Sequence, residues 1–104
     1  MELGGRVALV TGGARRVGVA IARALAAKGM HVAVHYGSSS NEAEQVAQEL
    51  RATGVKAEAF GADLRKVDEA KGLADRVAKH FGALDVVVNS AANMLEGAVE
   101  LPLR

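Results

Sequence analysis

Apolar residues along this chain follow two alternating rhythms. Four short runs, RVALV (6–10), HVAVH (31–35), VKAEAF (55–60) and LDVVV (84–88), have the length and branched-residue content of β-strands. The first, second and fourth are Val-rich and nearly continuous, the pattern of strands covered on both faces. VKAEAF sets Lys56 and Glu58 between apolar positions, which predicts a half-exposed strand at a sheet edge. Between the strands the period lengthens to that of a helix. Val17, Ile21, Ala24, Leu25 and Lys28 share one face of a first helix, which Gly29 is placed to end. Ala43, Val46, Ala47 and Leu50 form the stripe of a second, opened by Ser39 and Glu42 at capping-box spacing and closed by Gly54. Ala70, Leu73, Ala74, Val77 and Phe81 line a third, with Gly72 inside it and Gly82 after it. Strand and helix in this alternation predict an α/β domain with a parallel sheet and right-handed crossovers. Beyond Val88 the rhythm fades through NSAANMLEGAVELPLR.

Composition narrows the picture. A chain of 104 residues suits one domain or part of one. Half of it is apolar, yet it holds only one tyrosine, two phenylalanines and no tryptophan, so the core must come from Val, Leu and Ala. Small side chains suit helices lying close on a sheet and imply modest stability. A net charge of +1 offers nothing to nucleic acid or to an anionic membrane. The absence of cysteine removes disulfides, thiolate metal sites and cysteine nucleophiles together. The opening MELGGRVALVTGG lacks the layout of a signal peptide, and no apolar run approaches a membrane span, so a soluble, cytoplasmic protein is expected. His31, His35 and His80 make no metal constellation. The first two share a strand face without carboxylate partners, and the third sits near a helix end, where the dipole favours it.

Chemistry concentrates in VTGGARRVG (10–18), where the first strand runs straight into the first helix. Such a turn aims unpaired backbone N–H groups and the positive end of a helix at one point, where anions settle. Gly12 and Gly13 allow a sharp turn and a close approach to a phosphate, and Gly18 removes a Cβ where helix and strand meet. The strict G-x-G-x-x-G pattern is absent. The spacing Thr11-Gly12-x-x-x-Arg16-x-Gly18 instead resembles the TGxxxGxG turn of the short-chain dehydrogenase/reductase family, with Arg16 for the middle glycine. ADL (62–64) follows the third strand and NSAA (89–92) the fourth, where that family places an aspartate and NNAG. The resemblance runs the length of the chain and is specific in those three places.

The resemblance implies a three-layer, Rossmann-like sheet in the order 3-2-1-4, with the pyrophosphate of a nicotinamide dinucleotide at Thr11, Gly12, Arg16, Val17 and Gly18. TGxxxRxG together with HY (35–36) resembles pteridine reductase-like members, in which the arginine contacts pyrophosphate and can reach substrate. A ketone or ketoacyl substrate is the alternative class. Read without the family, Arg16 is a solvated charge at a helix start, unfavourable there unless an anion is near. Asp63, with Leu64 beside it, is implied against the adenine; its plain alternative is a turn cap. Asn89, with Ser90 and Ala91, is implied at the nicotinamide-side ribose; alternatively Asn89 merely ends the strand. Ala92 stands where the family usually has glycine.

Cofactor choice can be read from the residues themselves. NAD binders place an acidic residue at the end of the second strand, on the ribose 2′-hydroxyl. Here Tyr36 holds that position, and no carboxylate precedes Glu42. Arg15, His35, Ser38 and Ser39 offer charge and hydroxyls to a 2′-phosphate, so NADP(H) is expected. Ser39 is also the expected cap of the second helix.

The family's chemistry needs a serine and a Tyr-x-x-x-Lys pair. Four residues after Tyr36, the sole tyrosine, stands Ser40. Residues 1–104 are therefore expected to be the N-terminal, dinucleotide-binding part of such a reductase, with the catalytic segment absent. The contrasting expectation is a stand-alone nucleotide-binding or scaffold module, natural or engineered. A phosphate-receiver domain is excluded by the want of an acidic pair after the first strand. With LDVVV outermost, an apolar sheet edge predicts self-association or a complementary C-terminal half.

Overall fold

The computed structural model describes residues 2–90. Strands β1 (Val7–Thr11), β2 (His31–Tyr36), β3 (Ala57–Gly61) and β4 (Val86–Asn89) alternate with helices α1 (Arg16–Ala27), α2 (Ser40–Arg51) and α3 (Val67–Phe81). All strand pairs are parallel, and the order is β3-β2-β1-β4. This is the architecture the pattern and the resemblance implied. Register brings Val10 beside Val34, Tyr36 beside Gly61 and Thr11 beside Asn89, so the strands' C-terminal ends share one rim.

Two strands begin later than their apolar runs. The Lys56 N–H donates to His31 Nδ1 (3.0 Å), so β3 opens at Ala57. The Asp85 carboxylate accepts the Val7 N–H (2.9 Å) and closes the lower end of the β1–β4 pair, so β4 opens at Val86.

Period-2 alternation sorts the sheet into two faces. Val10, Val32 and Val34 pack with Ala22, Ala26, Ala43, Val46, Ala47 and Leu50 from α1 and α2. Val7, Leu9, Ala33 and Phe60 pack with Leu73 and Val77 from α3. The result is three layers. Small residues let α1 lie close to the sheet, and here the predicted face needs correction. Gly18, Ala22 and Ala26 are buried, Ile21 and Leu25 half-buried, while Val17 (65 % exposed) and Ala24 face out. Three alanines and glycines outrank larger residues because only they fit against the strands at that distance. The stripe of α2 is as expected. Its capping box does not form: Ser39 is the N-cap residue, but its side chain makes no cap hydrogen bond.

β3 is one sheet edge. β4 is the other among the described residues, with Val86, Val87 and Val88 half-buried. No helix among the described residues is long and apolar enough to cross a membrane.

Candidate functional site

Just past Thr11 the chain leaves the sheet through Gly12 at φ +63°, a left-handed conformation costing a side-chain-bearing residue about 1–2 kcal/mol. β2 holds the turn in place: the Gly12 N–H donates to His35 Nδ1 and the Gly13 N–H to the His35 carbonyl, both at 3.0 Å. From the other side α1 presses on it. A Cβ at Gly18 would stand 2.1 Å from the Gly12 carbonyl oxygen and 2.8 Å from Gly13 Cα. Gly18 thus serves contact between the helix and its own turn, more than contact with the strand.

The start of α1 is left unsatisfied. Arg15 is its N-cap with no side-chain cap bond, and its first turn carries no acid. Val19 makes the first intrahelical bond, to the Arg15 carbonyl (2.7 Å). The N–H groups of Arg16, Val17 and Gly18 have no partner among the described residues. Arg15 and Arg16 are exposed and enter no ion pair among those residues. Two cations at the positive end of a helix repel until an anion arrives. Free amides, helix dipole, two guanidiniums and a bare glycine floor make a donor set that fits a diphosphate.

The strands' C-terminal ends open into a groove of about 1540 Å³. Every site residue singled out from the sequence lines it except Ala91, which lies outside the described residues. Tyr36 sits over Gly61, where a Cβ would come within 2.8 Å of its Cε2, Cζ and Oη atoms. Its ring therefore covers the end of β2, where no carboxylate stands. Ser38 is exposed beside it, and the Ser39 hydroxyl is not spent on capping α2.

Asp63 caps no helix, since Lys66 is the N-cap of α3. Its carboxylate accepts the Arg65 N–H (3.0 Å), Nε (3.0 Å) and a terminal guanidinium nitrogen (3.1 Å). Those bonds hold the Asp63 carboxyl well below its usual range, at about 2. Its own N–H donates to Glu69 (2.7 Å), so α3 shapes this loop. At the opposite wall the Thr11 hydroxyl donates to Asn89 Oδ1 (2.8 Å) and accepts the Ser90 N–H (3.0 Å), while the Ser90 hydroxyl donates to the Thr11 carbonyl. β1 and β4 are thereby tied at the rim.

A family model described as short chain dehydrogenase matches residues 6–101. The chain belongs to the short-chain dehydrogenase family. Among curated members, it is similar to the hydroxynaphthalene reductase arp2 of Aspergillus fumigatus, 44% identical over 91 residues, covering 88% of this chain and 33% of that protein. An uncharacterized oxidoreductase of Methylorubrum extorquens is 41% identical over 99 residues, covering 95% of this chain and 40% of the other. Among solved structures, a short chain dehydrogenase from Burkholderia cenocepacia in complex with NADP has a TM-score of 0.85 at 41% identity, covering 95% of this chain and 40% of that one. A blue fluorescent protein from a metagenomic library, in complex with NADPH, has a TM-score of 0.83 at 40% identity, covering 93% and 40%. The chain spans about a third of the length of the curated relatives it matches first.

Within this short-chain dehydrogenase one expectation needs correcting. His35 was expected to offer charge to a 2′-phosphate. It is only 3 % exposed, and burial pushes its pKa down, against the opposing hydrogen bond to Ala62. Both ring nitrogens are engaged with backbone, at Gly12 and at Ala62 (2.9 Å). The structure also adds residues the sequence reading passed over. Arg65 holds Asp63, and Lys71 and Asp75 of α3 line the groove. An arginine two residues after a loop aspartate is a readable signal for the first; the other two depend on how α3 is rotated.

Proposed function

We propose that this chain is the NADP(H)-binding portion of a short-chain dehydrogenase/reductase. The single observation that carries the proposal is the start of α1, where amides and two arginines without partners among the described residues stand over a glycine floor. Thr11, Gly12, Arg16, Val17 and Gly18 cradle the pyrophosphate. Arg15, Ser38 and Ser39 meet the 2′-phosphate, with the Tyr36 ring beside it. Asp63 and Leu64 line the adenine, and Asn89 and Ser90 reach the nicotinamide-side ribose. NADP and NADPH named with the two structural neighbours support the choice of cofactor.

The bound dinucleotide supplies hydride to a carbonyl or pterin substrate in the complete enzyme. Arg16, in the pteridine reductase-like position, orients that substrate as well as the pyrophosphate. These residues alone do not complete the reaction. Tyr36, the sole tyrosine, has Ser40 rather than lysine four positions on and stands at the adenosine end. Protonation of the carbonyl would need a serine and a Tyr-x-x-x-Lys pair, and these 104 residues hold no such pair. The half-buried valines of β4 support pairing of that edge with another copy or with a complementary C-terminal half.

Calorimetric titration with NADPH and NADH tests the assignment. NADPH is expected to bind more tightly. Ser38→Asp sets a like charge against the 2′-phosphate and should weaken NADPH at least ~10-fold more than NADH. Equal losses for the two would remove the 2′-phosphate assignment.

A further inference from the structure

One buried titratable group borders the groove without facing it. Alternation along β2 puts His35 on the same face as Ala33, toward α3. There its imidazole lies between two backbone segments far apart in sequence. Gly12 can only donate, so Nδ1, 3.0 Å away, must be bare. A neutral ring then carries its proton on Nε2, which donates to the Ala62 carbonyl at 2.9 Å. Backbone bonds flank the ring on both sides, from Gly13 N–H to the His35 carbonyl (3.0 Å) and from Ala62 N–H to the Tyr36 carbonyl (3.1 Å). Gly12 opens the pyrophosphate turn, and Ala62 precedes Asp63.

We propose that His35 is a positioning residue: a neutral, Nε2-protonated imidazole that bridges the glycine turn after β1 to the loop after β3 and sets the spacing of the two groove walls. This rests on the reading of the groove as the NADP(H) site. An apolar residue of similar size would leave a donor and an acceptor unpaired at the two walls. Protonation would be as disruptive, because an Nδ1–H would confront the Gly12 N–H. The charged groups lining the groove that His35 borders come from three places. Arg15 and Arg16 come from the turn and α1, Asp63 and Arg65 from the loop after β3, and Lys71 and Asp75 from α3. β1 and β4 contribute only Leu9, Thr11, Val87 and Asn89. Burial, against the opposing hydrogen bond to Ala62, holds the His35 pKa below the ordinary 6.5. Below 6.5 the unfolded chain takes up a proton that the folded chain refuses. The contribution of His35 to stability is therefore level above that pH and declines as pH falls toward the folded value.

The test uses the full chain and two variants. His35→Asn keeps an amide near the place of Nδ1, can still accept from Gly12 and does not titrate. His35→Gln places its amide near Nε2 and leaves Gly12 unbonded. NADPH affinity is followed from about pH 8 to about pH 5, where histidine titrates. The wild type is expected to lose roughly 10-fold more affinity across that range than His35→Asn, and His35→Gln to bind roughly 10-fold more weakly than His35→Asn at the upper end. Comparing variants on one ligand cancels the titration of the phosphate itself. In the wild type, nitrogen-15 NMR should show a bare Nδ1 and a protonated Nε2, with the Gly12 amide slow to exchange. Equal pH slopes in wild type and His35→Asn, a proton on Nδ1, or a fast-exchanging Gly12 amide would overturn the proposal. If the wild type bound no NADPH, the cofactor reading would fall, while ring spectra and Gly12 exchange would still decide the role of His35.

Discussion

Gly18→Ala adds one carbon to the first turn of α1, and the structure sets both the sign and the size of its effect. In a helix interior, alanine in place of glycine ordinarily stabilises by about 1 kcal/mol. At Gly18 the new Cβ would lie 2.1 Å from the Gly12 carbonyl oxygen, 2.8 Å from its carbonyl carbon and 2.8 Å from Gly13 Cα. All three are backbone, so no rotamer change relieves the overlap. Helix and turn must separate by roughly 1 Å to reach an ordinary contact. Overpacking of this kind costs typically ~1–3 kcal/mol, and rigid backbone puts this site at the upper end. After subtracting the helix gain, a net loss of about 1–2 kcal/mol remains, or roughly 5–15 °C in Tm for a chain this size. The displaced turn should also weaken NADPH. Gly72→Ala is the matched control. It sits inside α3 with nothing within 4 Å of the added carbon, so the same substitution should raise Tm by roughly 4–8 °C. Thermal melts and NADPH titration of both variants decide the matter. A Gly18→Ala protein as stable as wild type, with unchanged NADPH affinity, would refute the proposed packing of α1 on its turn.

Three further predictions follow from separate contacts. Arg65→Ala removes the guanidinium that holds Asp63 near 2, so an NMR titration should find that carboxyl moved back toward 3.8. Because the folded value lies below the unfolded one, the stabilisation from this pair is present above 3.8 and is lost as pH falls through about 2; in Arg65→Ala that acid-sensitive increment should shrink. Thr11→Val deletes the hydroxyl that bonds Asn89 and the Ser90 N–H, and denaturant melts should show a loss of about 1–3 kcal/mol. Light scattering of the 104-residue chain should report a mass that grows with concentration through the β4 edge, and a monomer at all concentrations would dismiss that association.

Much of this architecture is legible in single-chain periodicity. VKAEAF announces an edge because its alternation leaves Lys56 and Glu58 facing water, and β3 is an edge. The stripe Ala43, Val46, Ala47 and Leu50 is legible because those positions are the only apolar ones on a polar helix. In α1 the same method is right only in part, for Ile21 and Leu25 pack on the core while Val17 and Ala24 face out; nearly every position there is apolar, and the choice passes to size. There Gly18, Ala22 and Ala26 go inward because the helix lies too close for Val17. Capping fails in a similar way: Ser39 and Glu42 have the spacing, but the φ of −95° and ψ of 62° at Ser39 do not bring its hydroxyl to the helix amides.

The local order of residues by itself determined the alternation of strands and helices, the glycine turn with its two arginines, and the lack of a carboxylate at the end of β2. All of these are short-range properties, set by which residues follow one another within a few positions. Only the parallel register and the order β3-β2-β1-β4 decided what meets across the rim. Thr11 reaches Asn89 over 78 positions, and His35 touches Gly12 and Ala62 at separations of 23 and 27. A histidine next to the last residue of a strand looks the same in sequence whether it faces solvent phosphate or closes on backbone. The side it takes is settled by the strand's two-residue period against the neighbouring strands and α3, and that side makes it a structural tie between two loops.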